Sequence, residues 1–208
     1  MGDKGERTRT RILDVAQRLI LQKGYAGTAI DEIVYEAEIT KGGFFYHFKN
    51  RNDLARALML RYLEEDERIF RGLVAEAHAL VDDPLQRVLA FLKLLADMLG
   101  KLDDTHPGCL AASFTYESQQ FDVEIRNMTQ EGVESWKRLF LEQFEPVMET
   151  HDCDVPLEDL ADMLNVSLEG AILLSRIEDS NRVLSRQIML FRDYVRRVFR
   201  PRTAAAAS

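Results

Sequence analysis

The sequence predicts an all-α protein with a small three-helix N-terminal domain, residues 1–54, a larger helical body, residues 55–200, and a disordered tail, residues 201–208. Three observations carry that expectation. Apolar residues recur at steps of three and four along almost the whole chain, which is the spacing of a helix with one buried face. Capping residues divide this pattern into segments, as at Thr40, Asn50 with Asp53, and Asp83 before Pro84. No segment is rich in strand formers, and no repeat is present.

Composition narrows the class further. The 208 residues hold no apolar run near the ~20 that a membrane span needs. The start, MGDKGERTRTR, lacks the apolar core of a signal peptide, so a cytoplasmic protein without a membrane partner is expected. Two cysteines, Cys109 and Cys153, make neither a disulfide framework nor a zinc site. The formal charge of -8 is divided unevenly: residues 1–61 hold 11 Lys and Arg against 8 Asp and Glu, and the remainder holds 16 against 27. An acidic body repels nucleic acid, so any phosphate contact has to come from the basic N-terminal end.

Taken in order, the first helix carries Ile12, Val15, Ala16, Leu19 and Ile20 at core spacing and ends at Gly24. Arg7, Arg9 and Arg11 precede that core, either as a basic arm or as a solvated helix start. Thr28 with Asp31 reads as a capping box opening a second helix, whose stripe is Ile30, Ile33, Val34 and Ala37. Glu38 and Ile39 make the turn, and Thr40 caps a third helix. The three form a helix-turn-helix, and the third is the reader of a major groove.

The reader's composition fits that role. Lys41 is a cation at the end that meets DNA, and Gly42 and Gly43 let backbone amides approach a phosphate. Phe44, Tyr46 and His47 offer an apolar contact for a thymine methyl, a phenol and an imidazole, while Phe45 and Phe48 are expected to pin the helix to its neighbours. Thr28, Thr40, Lys49 and Arg51 are the expected phosphate contacts.

From Arg7 to about Leu58 the chain resembles the DNA-binding domain of TetR-type (TetR/AcrR) transcriptional regulators. The resemblance rests on Ala37-Glu38-Ile39-Thr40-Lys41-Gly42-Gly43, the cluster Phe44-Phe45-Tyr46-His47-Phe48, and Lys49-Asn50-Arg51 ahead of Leu54. Glu38 stands where the family has glycine, Phe45 where it has tyrosine, and Arg51 where it has lysine. The resemblance implies a repressor whose body binds a small molecule, spreading two reading heads out of register with major grooves ~34–36 Å apart.

The body continues helical from Asn52 to about Leu80. Asp83 and Pro84 open a helix with Leu85, Val88, Leu89, Leu92, Leu95, Ala96 and Leu99 on one face; Gly100 ends it, and the loop KLDDTHPG follows. A short helix lies in CLAASFTYESQQF, and Asp122 starts a long one whose last turn is kinked by Pro146. Leu95 and Met98, then Phe114, Tyr116 and Phe121, then Met128, Trp136 and Phe140 are the candidate lining of an effector pocket, with core packing as the plain alternative. Glu117 is either a surface acid or an attractor for a cationic ligand.

The last two helices carry small residues and seams. Leu164, Ser167, Leu168 and Ala171 on one, and Leu184, Ile188, Phe191 and Val195 on the other, are the expected homodimer interface, packed as a four-helix bundle. The alternative is that both stripes fill the chain's own core.

Catalysis is not expected, and neither a metal nor another cofactor. His106 with Cys109 and His151 with Cys153 are pairs in loops, short of the three or four ligands of a metal site and without an oriented base. The function expected is a sequence-specific, DNA-binding regulator acting as a homodimer on a near-palindromic operator, with a small-molecule effector. Control by a protein partner or by thiol oxidation at Cys109 is the alternative.

Overall fold

A computed structural model describes residues 3–202. Nine α-helices occur among them: α1 (Asp3–Lys23), α2 (Ile30–Glu36), α3 (Lys41–His47), α4 (Arg51–Leu80), α5 (Pro84–Gly100), α6 (Leu110–Tyr116), α7 (Val123–Phe144), α8 (Leu157–Glu178) and α9 (Arg182–Val198). The fold is the expected all-α one. Several helix starts lie where the caps put them: the side chains of Asn50, Asp83 and Asp122 accept from the amides of Asp53, Gln86 and Ile125 at 2.9, 2.9 and 3.0 Å. Gly24 closes α1 with φ +82°. Arg7, Arg9 and Arg11 are within α1 and form no separate arm.

The chain divides into two compact units, and not at residue 54. One comprises Met1–Asp66 with Pro107–Val133; the other comprises Glu67–His106 with Glu134–Ser208. The sequence pattern missed this because α6 and the start of α7 return to the N-terminal helices, where Phe114 and Phe121 stack at 4.2 Å and Tyr25 packs on both. Within this unit α1 is tied to α2 by the Arg18–Glu36 and Lys23–Glu32 ion pairs, and to α4 by Arg61, which bonds Asp14 and Gln17.

In the second unit α9 packs against both α5 and α8. Leu184, Ile188, Phe191 and Val195 of α9 are buried in one core with Val88, Leu89, Leu92, Leu95 and Ala96 of α5, and with Leu160, Leu164 and Ala171 of α8. Each large apolar side chain among them contributes ~1.5–3 kcal/mol by leaving water. This corrects the expected dimer seam: Leu164, Ala171, Leu184, Ile188, Phe191 and Val195 fill the chain's own core, and Ser167 and Leu168 are half-buried. The heptad-like steps of α9 reflect a partner helix inside the same chain.

A further correction concerns the tail. Phe199–Pro201 forms a strand, β2, antiparallel to β1 (His151–Cys153), with Cys153 opposite Phe199. Arg200 pairs with Asp154, and Arg202 Nε donates to Asp152 at 2.9 Å. Pro201 and Arg202 are therefore held, while residues 203–208 lie outside the described part. Three-residue strands are too short to leave an alternating signature in sequence. Asn181, between α8 and α9, holds the loop after α5: its side chain accepts from the amide of His106 at 3.0 Å and donates to the carbonyls of Leu102 and Asp104.

Candidate nucleic-acid interface

The turn between α2 and α3 is a closed helix stop. The amide of Ile39 donates to the carbonyl of Val34 and that of Glu38 to the carbonyl of Tyr35, both at 3.1 Å. These two bonds define a Schellman motif, which requires a left-handed residue after the helix. Glu38 supplies it with φ +52°, the conformation the family's glycine would take, at ~1–2 kcal/mol for a residue with a Cβ. Thr40 then caps α3, its hydroxyl oxygen accepting from the amide of Gly43 at 3.0 Å.

The phase of α3 decides which side chains face outward. Phe44 is 0% exposed and Phe48 is buried beside it, their rings 5.8 Å apart, so this pair seats the helix. The expected roles of Phe44 and Phe45 are thus exchanged: Phe44 is sealed in the core, and Phe45 is 43% exposed. Tyr46 stands out further at 76% exposure. Lys41, Gly42, Phe45, Tyr46 and, just beyond the helix, Lys49 are all exposed. Lys41, Gly42, Phe45 and Tyr46 follow steps of one, three and four, the geometry of one helical face, and Lys49 comes after the extended residue Phe48. Lys41 is bonded to Asp31 of α2 at 2.7 Å, an exposed pair worth under ~1 kcal/mol that a phosphate can displace.

Other expected contacts sit differently. Thr28 does not cap α2, which has Ala29 at its N-cap and no side-chain cap; the buried Thr28 hydroxyl donates to the carbonyl of Gly24 at 2.8 Å and is not free for a phosphate. His47 is half-buried, with its ring 5.0 Å from that of Tyr46 and Nδ1 out of solvent. Arg51 is half-buried too, its guanidinium 4.0 Å over the ring of Tyr25. Tyr25 returns a bond, its hydroxyl donating to the carbonyl of Arg51 at 3.1 Å. Burial pushes that hydroxyl up to about 12, with Arg51 opposing, so it stays a donor at neutral pH.

Comparison with known proteins bears on this geometry. The model of bacterial regulatory proteins of the tetR family matches residues 12–58, the stretch from the core of α1 into α4. The model of the transcriptional regulator LmrA/YxaF-like C-terminal domain matches residues 84–188, half of the chain. The chain belongs to the TetR family.

Relatives agree along most of its length. The HTH-type transcriptional regulator LmrA of Bacillus subtilis is 27% identical over 81% of this chain and 86% of its own. The HTH-type transcriptional repressor DhaR of a Mycobacterium species is 24% identical over 82% and 83%. The fold is shared with a TetR regulator from Chloroflexus aurantiacus, at TM-score 0.78 and 24% identity over 97% of this chain and all of that one. It is also shared with Escherichia coli NemR in its reduced form, at TM-score 0.74 and 20% identity over 95% of this chain and all of that one. As a TetR-family member, the chain is a DNA-binding transcriptional regulator, and α2 and α3 are its helix-turn-helix.

The residues expected to line an effector pocket in this TetR-family chain fall in both units. In the first unit Phe114 and Phe121 are buried against Tyr25, Met128 is half-buried, and Tyr116 is 80% exposed. In the second, Leu95 and Phe140 belong to the packed core, where Phe140 meets Phe70 and Phe91, and Met98 and Trp136 are half-buried against it. Among the described residues no group of His, Cys, Asp and Glu is arranged to hold a metal ion, and no helix is long and apolar enough to cross a membrane.

Three features escaped the sequence reading. The carboxylate of Glu117 accepts from the amides of Tyr25 and Ala26, partners about ninety residues away that no local pattern reveals. Asp66 lies beside the Tyr62 hydroxyl, and burial raises its carboxyl to about 6. On α8, Met163, Val166, Leu173, Leu174 and Ile177 are exposed, with Leu190 on α9; Val166 and Ile177 reach 71% and 70%. That last feature did leave a signal: α8 is apolar on two faces, which one core cannot cover.

Proposed function

We propose that this regulator is a homodimeric repressor that binds a near-palindromic operator through the outer face of α3 and is released by a small-molecule effector. The observation that carries the reading is that face: Lys41, Gly42, Phe45, Tyr46 and Lys49 turned outward while Phe44 and Phe48 anchor the helix from behind. Lys41 and Lys49 supply phosphate charge, Tyr46 a donor to a base edge, and the amides of Lys41 and Gly42 the helix start, that of Gly43 being taken by the Thr40 hydroxyl. A Cβ at Gly42 would meet nothing nearer than the Thr40 oxygen at 4.0 Å, so packing within the chain does not demand glycine there, and the bare backbone leaves room for DNA to approach. His47 and Arg51 are secondary contacts, each with only part of its side chain free.

The dimer is supported by the exposed stripe of α8. Met163, Val166, Gly170, Leu173 and Ile177 step by three and four, and a second copy of the same stripe is the partner that covers it with two-fold symmetry. Repression is supported by the relatives named repressors, DhaR and NemR. For the effector, Met98 and Trp136 in the second unit and Met128 in the first are half-buried, a state in which a side chain can still meet a ligand. Such a regulator acts in the cytoplasm.

A second reading has one observation in its favour. Cys109 caps α6, its sulfur accepting from the amide of Ala112 at 3.3 Å and lying 3.5 Å from the Tyr62 hydroxyl. A peroxide would leave one oxygen on that sulfur and depart as water. Unchanged operator binding by Cys109→Ala in the presence of hydrogen peroxide, where the wild type loses it, is the result expected of thiol control.

The decisive experiment is selection of genomic fragments by the purified protein at near-physiological salt. An inverted repeat is the expected outcome and provides the assay for releasing ligands. Binding that is salt-sensitive but indifferent to sequence would overturn the operator reading.

A further inference from the structure

Glu117 follows α6 and reaches back to the turn between α1 and α2. Its Oε1 accepts from the amide of Tyr25 at 2.6 Å and its Oε2 from the amide of Ala26 at 2.7 Å. Both carboxylate oxygens are therefore engaged by backbone amides. The turn is shaped to receive it. Gly24 has φ +82°, and a Cβ built there would lie 2.7 Å from Oε1.

What the carboxylate holds is connected to the reading helix. Tyr25 is buried against Phe121 and Phe114, with ring centroids 4.5 and 5.7 Å away. Its hydroxyl donates to the carbonyl of Arg51, and its ring lies under the Arg51 guanidinium. Arg51 opens α4 four residues after the end of α3. One acid thus reaches both ends of the helix-turn-helix: the turn that enters α2 directly, and the residue that follows α3 through Tyr25. Stacked rings alone resist separation but allow sliding, because apolar contact has no direction. Two charge-assisted bonds from one carboxylate fix direction as well.

We infer that Glu117 is a positioning residue for DNA reading, setting the pose of the helix-turn-helix from a segment remote in sequence. The inference rests on the assignment of the outer face of α3 as the reading face. It predicts that residue 117 governs operator affinity although it touches no DNA.

The test uses the full-length protein with Glu117→Gln, which keeps the size but turns an NH2 toward one of the two amides, and Glu117→Ala. Gln119→Ala, exposed on the same segment, is the control. Binding to the operator fragment recovered by the wild type, and to a random duplex, is measured well below each variant's melting midpoint. Amide exchange is followed at Tyr25, Ala26 and through α3. The expected result for Glu117→Gln is at least tenfold weaker operator binding, with unchanged binding to the random duplex and faster exchange at both amides and in α3. A lower melting midpoint with operator binding unchanged marks Glu117 as merely structural and overturns the inference. If the alanine variant does not fold, the glutamine variant decides. If the wild type itself recovers no operator, the reading-face assignment fails and exchange decides alone: equal protection of α3 in wild type and Glu117→Gln overturns the inference, and faster exchange sustains it.

Discussion

Both units have an apolar core, and they differ in what is added to it. The second is an aliphatic and aromatic core in which α9 is covered by α5 and α8, and its outer α8 face is again apolar. The first buries Ile12, Ile20, Phe44, Leu58 and Phe114 and adds directed polar bonds to that core: Glu117 to two amides, Tyr25 to Arg51, and Asp66 near Tyr62, with a left-handed Glu38 in its turn. Burial without direction tolerates small shifts, whereas hydrogen bonds fail over a few tenths of an ångström. The second unit is thus suited to stability and association, and the first to holding one pose.

The largest effect that would break this contrast is expected on the α8 face. Val166→Glu together with Ile177→Glu places charges where a second copy is to be buried, and should weaken dimerisation at least ~1,000-fold, about 4 kcal/mol. Sedimentation should report a folded monomer; a persistent dimer would move the interface elsewhere. Next, Ile188→Ala in the α9 core should cost about 3 kcal/mol of stability in urea melts, the range for a buried isoleucine truncated without collapse. A loss of dimer with little loss of stability would restore α9 to the interface.

The first unit should respond through its polar groups. Asp66 has a raised carboxyl, so the folded state prefers it protonated. Its contribution is fully present below the unfolded value near 3.8 and is lost as pH rises through about 6. Asp66→Asn should therefore gain on the wild type between those values, by on the order of 2–3 kcal/mol, and stay level above. A pH-independent difference would mean that the carboxylate is relieved by water. On the reading face, Lys49→Ala should weaken binding to all duplexes and lower the salt slope by about 1, while Tyr46→Ala should cost ~1–3 kcal/mol and blur sequence preference. The smallest effect is expected at Glu38. Glu38→Gly relieves the left-handed strain and should stabilise by about 1 kcal/mol, visible as a higher melting midpoint.

Sequence made the helix starts legible because caps act over three residues, as at Thr40, Asn50, Asp83 and Asp122. It was weaker on phase. In a seven-residue helix with Phe44, Phe45 and Tyr46 in succession, periodicity cannot say which ring is turned inward. It was weakest on partners. The stripe on α9 was plain, but a stripe does not record whether the helix that covers it belongs to the same chain or to a copy. Glu117 lay beyond reach for a similar reason: backbone amides carry no side-chain identity for a sequence pattern to match.

Trp136 is the chain's only tryptophan, and it packs against the core of the second unit. Intrinsic emission excited at the red edge therefore reports that unit alone, while five of the six tyrosines, Tyr25, Tyr35, Tyr46, Tyr62 and Tyr116, belong to the first and weight the tyrosine band toward it, Tyr194 alone being in the second. A denaturation followed in both bands is a two-colour experiment without a label: coincident midpoints mean one cooperative molecule, and separated ones mean that the two units melt in turn.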